Sequence, residues 1–425
     1  MKVNHMCSIF VSVKFKLSTR FFNKCCYSTD RIGYSSNNRF LNVCVFGNHQ
    51  SGKTLLCSTL TKALSKINST QYIPVDVLDS NEDEKKTGST INLSFAPINT
   101  GNSEVTLIDC PGRDILINPR ITGLTIADLG VLVVSCDQDS LVDIIRKELA
   151  LARHFNLREI VLFLNKSDLK FLDGNVHTNE SIKKLLNQYG YQSDLIFSGS
   201  LLEPDADDQP QIKQLIDYID KFPIPKRDSV SPVYMKVITT KVLDSSDTFV
   251  LGYLEKGTFS VGQNFTVLGK GREFDVCVSE ILDSECDKIE AGSLCKIMLR
   301  GNRRRWLSKG VVITNPGSYQ ANDHFNCSIT PTSADDYFKE SFGQNLPLDL
   351  YSDQPHSFCR VKALDYCKVD NMYNCNIKLS DAQVLSKNYP FVLAKNKILV
   401  GLGKVNEILP NLNAEDKLRM HKKLQ

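Results

Sequence analysis

The sequence predicts an α/β domain, in which helices cover both faces of a mostly parallel sheet, followed by antiparallel β-barrels. Between residues 41 and 222, short β-branched apolar runs alternate with helical stretches, which is the pattern of successive βαβ units. Beyond residue 228 the chain changes to short strands separated by Gly-containing turns, which favours barrels over further βαβ units. The charged stretch 222–228 holds two prolines and is typical of a linker between domains.

Individual elements follow from these patterns. The strands predicted for the first domain are 43–46, 105–108, 131–135, 160–164 and 195–197. A helix is predicted directly after the first strand, at 53–64, and a loop in the Asp- and Pro-rich stretch 204–210. The strands predicted beyond the linker are 234–239, 249–254, 264–268, 293–299 and 311–313.

Composition narrows the class of protein. A chain of 425 residues with 42% hydrophobic residues is long enough for several domains with their own cores. No apolar run approaches the span of a bilayer, so we expect no membrane segment. The net charge of +3 offers no general attraction for nucleic acid. The fourteen cysteines form no C-x-x-C pair and several lie in apolar runs, which predicts reduced, buried thiols and neither zinc nor disulfides.

The first 38 residues differ in kind from the rest. They mix lysines and arginines with serines and phenylalanines, and Asp30 is their only acid. This composition predicts an organellar transit peptide, with the mitochondrion favoured over the plastid. A plain disordered extension is the alternative.

Residues 47–54 fit G-x-x-x-x-G-K-[ST] at every fixed position and follow a predicted strand. Glycines let such a loop curl so that successive backbone N–H groups point at phosphate oxygens. We expect Lys53 to neutralise the β- and γ-phosphates and the Thr54 hydroxyl to ligate Mg²⁺. The remaining loop residues expected to surround the phosphates are Asn48, His49, Gln50, Ser51 and Gly52.

Three further clusters follow predicted strands. Asp109 ends one strand and is expected to hold Mg²⁺ through water, while the Gly112 N–H is expected to meet the γ-phosphate. Asp168 follows another strand, where its carboxylate can accept both N1–H and N2–H₂ of guanine, a donor pair that adenine lacks. The other residues expected at the base are Asn165, Lys166, Ser200 and Leu201.

With these motifs in this order, the chain resembles elongation factor Tu among the translational GTPases. The resemblance rests on residues 47–54, 87–92, 109–112, 165–168 and 199–201, and continues through 252–257, 299–301, 316–318 and 391–403. It implies a GTP-binding domain at 39–226, two β-barrels at 227–318 and 319–412, and a polar tail at 413–425.

The resemblance also implies a function and its partners. It assigns Thr90 as the switch residue that coordinates Mg²⁺ only when GTP, not GDP, is bound. It implies a monomer that carries aminoacyl-tRNA to the ribosome, with a nucleotide exchange factor of the elongation factor Ts type.

Departures from the family pattern fall around the predicted catalytic centre, formed by Arg113, Thr90 and Gly112. Arg113 stands where the family has the histidine that orients the attacking water, and a guanidinium does not deprotonate to act as a base. His49 and Ser89 occupy places that the family fills with apolar side chains. The sequence therefore predicts slow hydrolysis. His49 either replaces the missing histidine in part or is a solvent-facing loop residue.

Further departures affect the surface expected to hold the esterified amino acid. Glu280 is kept, but Leu251 replaces a threonine, Leu294 an asparagine, and Phe95 a histidine. Each leucine removes hydrogen-bonding capacity. Two interpretations stay open: an organellar factor that still delivers aminoacyl-tRNA, and a GTP-binding regulator or assembly factor that kept the fold. The predicted barrels and the guanine-selecting acid argue against an unrelated metabolic NTPase.

A short basic run, Arg303 to Arg305, lies beside Trp306. Its two interpretations are a contact with RNA phosphates and a solvated turn, which is the commoner meaning of such a run.

Overall fold

A computed structural model describes residues 39–79, 92–137, 140–169, 176–242, 247–282, 288–301, 303, 306–332, 338, 344–413 and 415. The chain divides into two compact units, Met1–Pro225 and Lys226–Gln425, within the predicted linker. The predicted transit peptide and most of the polar tail lie outside the described residues. No helix in the described part of the chain is both long and apolar enough to cross a bilayer.

The first unit is built on one six-stranded sheet with the order β2-β3-β1-β4-β5-β6. Its strands are β1 Arg39–Phe46, β2 Ser94–Asn99, β3 Ser103–Asp109, β4 Leu129–Ser135, β5 Ile160–Asn165 and β6 Ile196–Gly199. Every neighbouring pair is parallel except β2 and β3. The mostly parallel α/β sheet predicted from the sequence is therefore confirmed.

Strand β2 was not predicted from the sequence. It contains Pro97, whose missing N–H argues against a central strand. In the structure β2 lies at the edge of the sheet and pairs only with β3, where a proline is tolerated.

Six helices are described in this unit: α1 Lys53–Ser65, α2 Val75–Leu78, α3 Ile117–Ile126, α4 Leu141–His154, α5 Val176–Gln188 and α6 Pro210–Lys221. Short 3₁₀ turns occupy Ser167–Leu169 and Ala206–Asp208. The prediction of a plain loop at 204–210 is thus wrong in part. Its last proline opens α6, because proline lacks only an N–H that the first helical turn leaves unpaired.

The core of the first unit follows from the alternation along the strands. Val43 and Val45 of β1 face one side, where they pack with Leu56 and Leu60 of α1 and with Ile212 of α6. These side chains are fully buried. Burial of this face holds α1, and with it the loop that precedes α1, against the sheet.

The second unit contains two closed antiparallel barrels, which confirms the predicted barrel architecture. The first barrel has the order β10-β11-β13-β8-β7-β14, and β9 pairs separately with β12. Its strands are β7 Tyr234–Val242, β8 Asp247–Lys256, β9 Thr258–Ser260, β10 Asn264–Gly269, β11 Arg272–Ile281, β12 Lys288–Glu290, β13 Leu294–Arg300 and β14 Val312–Thr314.

The second barrel has the order β15-β18-β17-β16-β19-β20. Its strands are β15 Ala321–Pro331, β16 Asn345–Tyr351, β17 Ser357–Cys367, β18 Met372–Val384, β19 Pro390–Lys395 and β20 Ile398–Ile408. Alternate residues fill the interior, including the fully buried Phe325, Tyr373 and Phe391.

A buried ion cluster joins the two barrels. Lys236 of β7 lies 2.6 Å from Glu255 in its own barrel and also pairs with Asp353 of the second barrel. The Tyr389 hydroxyl donates a hydrogen bond to the same Asp353 carboxylate. Burial alone lowers the pKa of Lys236, but the two carboxylates raise it well above its usual value. The lysine is therefore charged, and its ion pairs link the two barrels.

Most of the described cysteines are buried, and those described form no disulfide. Burial raises the pKa of the Cys44, Cys57 and Cys327 thiols well above the usual value. Such thiols are protonated and act as small apolar core groups.

Candidate functional site

The predicted loop 47–52 lies between the end of β1 and the start of α1, at the carboxyl edge of the parallel sheet. Gly47 has a φ of +139°, and a Cβ there would lie 2.1 Å from the carbonyl oxygen of Val133 in β4. The neighbouring strand therefore passes too close for any side chain at this position. Ligands of open α/β sheets bind at this edge, outside the ends of the strands.

Asn165, at the end of β5, holds three loops together. Its Nδ2 donates to the Ser51 carbonyl oxygen at 2.9 Å, and its Oδ1 accepts from the Leu201 N–H at 3.2 Å. The Oδ1 also accepts from the Lys166 N–H at 2.8 Å. Sequence reasoning placed Asn165 at the base; in the structure its buried carboxamide bonds the protein backbone.

Gly52 is the residue that allows this carboxamide to lie against the loop. Its φ is +97°, and a Cβ there would lie 2.2 Å from the Asn165 Nδ2. Gln50 also has a positive φ, of 59°, within the same loop. The loop thus curls because Gly52 and Gln50 have positive φ values, and its contact with the Asn165 carboxamide fixes its position.

Lys53 begins α1 and is 6% exposed. Its Nζ donates to the Asn48 carbonyl oxygen at 2.5 Å and to the Ser51 hydroxyl at 3.3 Å, so the loop itself holds the ammonium. Burial lowers the pKa of Lys53, and the Asp109 carboxylate partly offsets that effect. A bound phosphate offers this ammonium a full opposite charge in place of neutral oxygens.

The residues expected at the metal and the γ-phosphate come together around Lys53. The Thr54 hydroxyl donates to the Asp109 carboxylate at 2.7 Å, which places two oxygen ligands side by side. Hard oxygen donors of this kind suit Mg²⁺. A Cβ on Gly112 would lie 2.4 Å from the Lys53 Nζ, so the backbone of residue 112 lies directly beside the ammonium.

The base-side residues surround the end of β5. Asp168 is exposed within the Ser167–Leu169 turn, so its carboxylate is accessible to a ligand. Lys166 has a φ of 59° and its Nζ pairs with Asp137 at 2.9 Å. Ser200 and Leu201 are buried. Any contribution of these two residues to a base there would be through backbone groups and the shape of the wall.

Arg113 and His49 are both half-buried on the phosphate side of the site. Burial, the Arg113 guanidinium and the Lys53 ammonium, in that order, lower the pKa of His49. The imidazole is therefore neutral at pH 7 and the neighbouring guanidinium is charged. Thr90 and Ser89 lie outside the described residues.

Sequence reasoning missed a buried ion pair behind this site. The Nη2 of Arg120, on α3, contacts both carboxylate oxygens of Glu148, on α4, and both side chains are almost fully buried. Asp114, directly after Arg113, accepts from Lys147 at 2.7 Å and pairs with Arg120 at 3.4 Å. No local pattern signals this network, because α3 and α4 are separated by a strand and meet only in the folded unit.

The residues expected at the esterified amino acid are placed as follows. In the second unit, Leu251 is buried in the barrel wall and pairs with Lys296, while the half-buried Leu294 pairs with Tyr253. Glu280 is exposed on β11. Phe95 belongs to the first unit, where it is buried on β2.

Comparison with known proteins supports the assignment of the first unit. Residues 38–225 match the family model for the elongation factor Tu GTP binding domain. This part of the chain is therefore similar to the GTP-binding domain of elongation factor Tu. The match covers the loops at the carboxyl edge of the sheet but not Leu251, Glu280 and Leu294 of the second unit.

Solved structures resemble the fold over nearly the whole chain. Translation elongation factor SelB from Methanococcus maripaludis, in complex with the GTP analogue GppNHp, matches with a TM-score of 0.66 at 18% identity, over 90% of this chain and 81% of that chain. Its apo form matches with a TM-score of 0.65 at 18% identity, over the same shares of the two chains. A bacterial selenocysteine-specific elongation factor, EF-Sec, matches with a TM-score of 0.66 at 18% identity, over 91% of this chain and 61% of that chain. At this identity the likeness shows the fold alone.

The close contact between Gly52 and the Asn165 carboxamide leads to a prediction for Gly52→Ala. The new Cβ strains a positive φ, at roughly 1–3 kcal/mol, and also displaces the Asn165 carboxamide. We expect GDP affinity, measured by titration with a fluorescent analogue, to fall by roughly tenfold or more.

Gly101→Ala is the matched control. It has a φ of +111° but nothing within 4 Å of an added Cβ, so it carries the backbone strain without the clash. Equal losses of GDP affinity in the two variants would contradict the role given to Asn165.

Proposed function

We propose that this protein is a GTP-binding translation elongation factor that delivers aminoacyl-tRNA to an organellar ribosome and hydrolyses GTP slowly. The observation that carries the proposal is the convergence of loop 47–54, Asp109 with Gly112, and the 165–168 and 199–201 loops at one edge of the sheet. Hydrogen bonds of the Asn165 side chain join the 47–54 and 199–201 loops to the 165–168 loop. The family match supports the translational GTPase class, and the two barrels support an elongation factor within it.

The described side chains suit a guanine nucleotide with Mg²⁺. Lys53 would exchange the Asn48 carbonyl oxygen for the β- and γ-phosphates, and Thr54 with Asp109 would hold the metal. The bound metal neutralises charge that develops between the phosphates. Asp168 selects guanine, since an acceptor pair meets two donors on that base alone.

Slow hydrolysis follows from the character of residue 113. Arg113 is a permanent cation next to the phosphate loop, so it cannot accept a proton from the attacking water. His49 is neutral and lies on the same side of the site, which makes it the one described candidate for orienting that water.

Localisation and delivery rest on the sequence. The basic, acid-poor residues 1–38 support import into an organelle, with the mitochondrion favoured over the plastid. Delivery implies the ribosome, aminoacyl-tRNA and an exchange factor of the elongation factor Ts type as partners. A monomer is the expected state.

A second candidate function is a GTP-binding regulator or assembly factor that does not carry aminoacyl-tRNA. The observation that favours it is the apolar character of Leu251 and Leu294 on β8 and β13. Leu251 is buried in the barrel wall, so it offers no polar atom to a bound ester.

Guanine selection is tested by Asp168→Asn. An asparagine offers one acceptor and one donor, which mismatches guanine but suits xanthine, whose C2 carries a carbonyl oxygen. We expect GTP affinity to fall roughly 100-fold and XTP affinity to rise, measured by competition against a fluorescent GDP analogue.

Asp194→Asn serves as the control, because Asp194 is 91% exposed elsewhere in the same unit. An unchanged preference for GTP in Asp168→Asn would overturn the assignment of the base pocket.

The effect of residue 113 is tested by Arg113→His, which supplies a group able to accept a proton. We expect GTP hydrolysis in the presence of ribosomes to increase by roughly 10-fold or more, measured as phosphate release in single turnover. Arg146→His, at an exposed position on α4, is the control for a histidine placed away from the site. A rate equal to or below that of the natural protein would contradict slow hydrolysis through Arg113.

Delivery is separated from regulation by protection of the aminoacyl ester. The protein with a non-hydrolysable GTP analogue is incubated with aminoacyl-tRNA, and spontaneous ester hydrolysis is followed. Delivery predicts slowed hydrolysis with the GTP analogue and little effect with GDP. Tight nucleotide binding without any protection would establish the regulator instead.

A further inference from the structure

An unusual group of side chains lies on the first barrel, on the loop that follows β13. Trp306, the only tryptophan of the chain, is 41% exposed. The guanidinium carbons of Arg272 and Arg303 lie 4.6 and 5.0 Å from the centroid of its ring. The edge of Phe274, at 6.0 Å and 83°, supports the ring from the barrel side. We call Arg272, Arg303 and Trp306 the Arg–Trp cluster.

The two positive charges of the Arg–Trp cluster are not neutralised within the described chain. Both arginines are exposed, and neither has an ion-pair partner among the described residues. Strand alternation turns Glu273 and Asp275 to the opposite face of β11 from Arg272, and Asp275 accepts a hydrogen bond from Thr266 there. By contrast, Arg300 at the end of β13 is paired with Asp247 at 2.9 Å.

Contact with the indole ring prepares the guanidinium groups for an anion. A guanidinium attracted to a ring uses its face, so its in-plane N–H groups remain available for hydrogen bonds. The same contact restricts the long arginine side chains, which lowers the entropy lost when they bind. Two such forks around one ring suit two phosphate groups that are near each other, because Arg binds phosphate oxygens in pairs.

We propose that the Arg–Trp cluster binds the phosphodiester backbone of an RNA strand. The half-exposed indole favours RNA over an acidic peptide, since it offers a flat apolar surface to a base or ribose next to the bound phosphates. The site is formed by the first barrel alone. It requires neither GTP nor an aminoacyl ester, so it goes beyond the proposed function and stands or falls separately from it.

The sole tryptophan makes the test direct, because intrinsic indole fluorescence reports on this site alone. The full chain, free of nucleotide, is titrated with an oligouridylate of about 12 nucleotides, a length typical of single-strand sites. We expect a saturable fluorescence change that weakens with added salt. The slope of log K against log salt should shrink by about 0.7 for each arginine removed.

The decisive variant is Arg272→Gln with Arg303→Gln, followed by anisotropy of end-labelled oligouridylate. We expect its affinity to fall by about tenfold or more. Arg300→Gln removes an exposed arginine from the same barrel that is already paired, and we expect little change. Trp306→Phe keeps both charges but offers the arginines a weaker ring, so an intermediate loss is expected.

Comparison ligands complete the test. Inorganic phosphate and polyglutamate of matched charge should compete only weakly with the oligouridylate. Equal affinity of the double variant and the natural protein would overturn the proposal, and so would tighter binding of polyglutamate than of RNA. Thermal unfolding of each variant and its GDP affinity are measured in parallel. A variant with normal stability and GDP affinity that loses only RNA supports the cluster, whatever the outcome for aminoacyl-tRNA.

Discussion

The candidate nucleotide site depends on the hydrogen bonds of one side chain, Asn165. The Asn165 carboxamide bonds the backbone of Ser51 and of Leu201, so the phosphate loop and the 199–201 loop are held at fixed positions relative to β5. The buried amide has hydrogen-bond partners on both sides, and losing one partner would leave a buried polar group unsatisfied.

Charged side chains are also paired inside the unit, behind the loop that carries Arg113. The Arg120–Glu148 pair lies inside the unit between α3 and α4, and α3 follows directly on the loop that carries Arg113. Burial alone lowers the pKa of Arg120, but Glu148 raises it above the usual value, so the guanidinium is charged. The pair also affects the pKa of Lys53. Glu148 raises that pKa and Arg120 lowers it, and each of these effects is smaller than that of burial. A pair of opposite charges thus links α3 to α4 inside the unit.

A second cluster of paired charges lies between the two barrels. Lys236 and Asp353 are buried together and Glu255 is partly exposed beside them, and the cluster connects β7 of one barrel to the segment after β16 of the other. Removing one member leaves an uncompensated buried charge, which is far more costly than an exposed pair is favourable. The Arg–Trp cluster is the opposite case, since its charges remain open to solvent and to a partner.

Short-range patterns were enough for much of this protein. The β-branched runs, the glycine spacing of loop 47–54 and the acids that end strands all act within a few residues, so the α/β sheet, the barrels and the loop before the first helix could be predicted. Edge strand β2 could not, because Pro97 is tolerated only at an edge and the order of strands is a property of the whole sheet.

The sequence by itself determined the chemistry available at the site, since the identities of Lys53, Thr54, Asp109 and Asp168 specify charge and hydrogen-bonding capacity wherever they lie. Only the tertiary structure decided the use of that chemistry. Asn165 bonds the backbone of a neighbouring loop, Arg120 pairs with Glu148, and Arg272 lies over the Trp306 ring. Each contact forms because folding brings together segments that are distant in the chain. Contacts of this kind depend on the packing of the whole domain, which no local pattern of residues records.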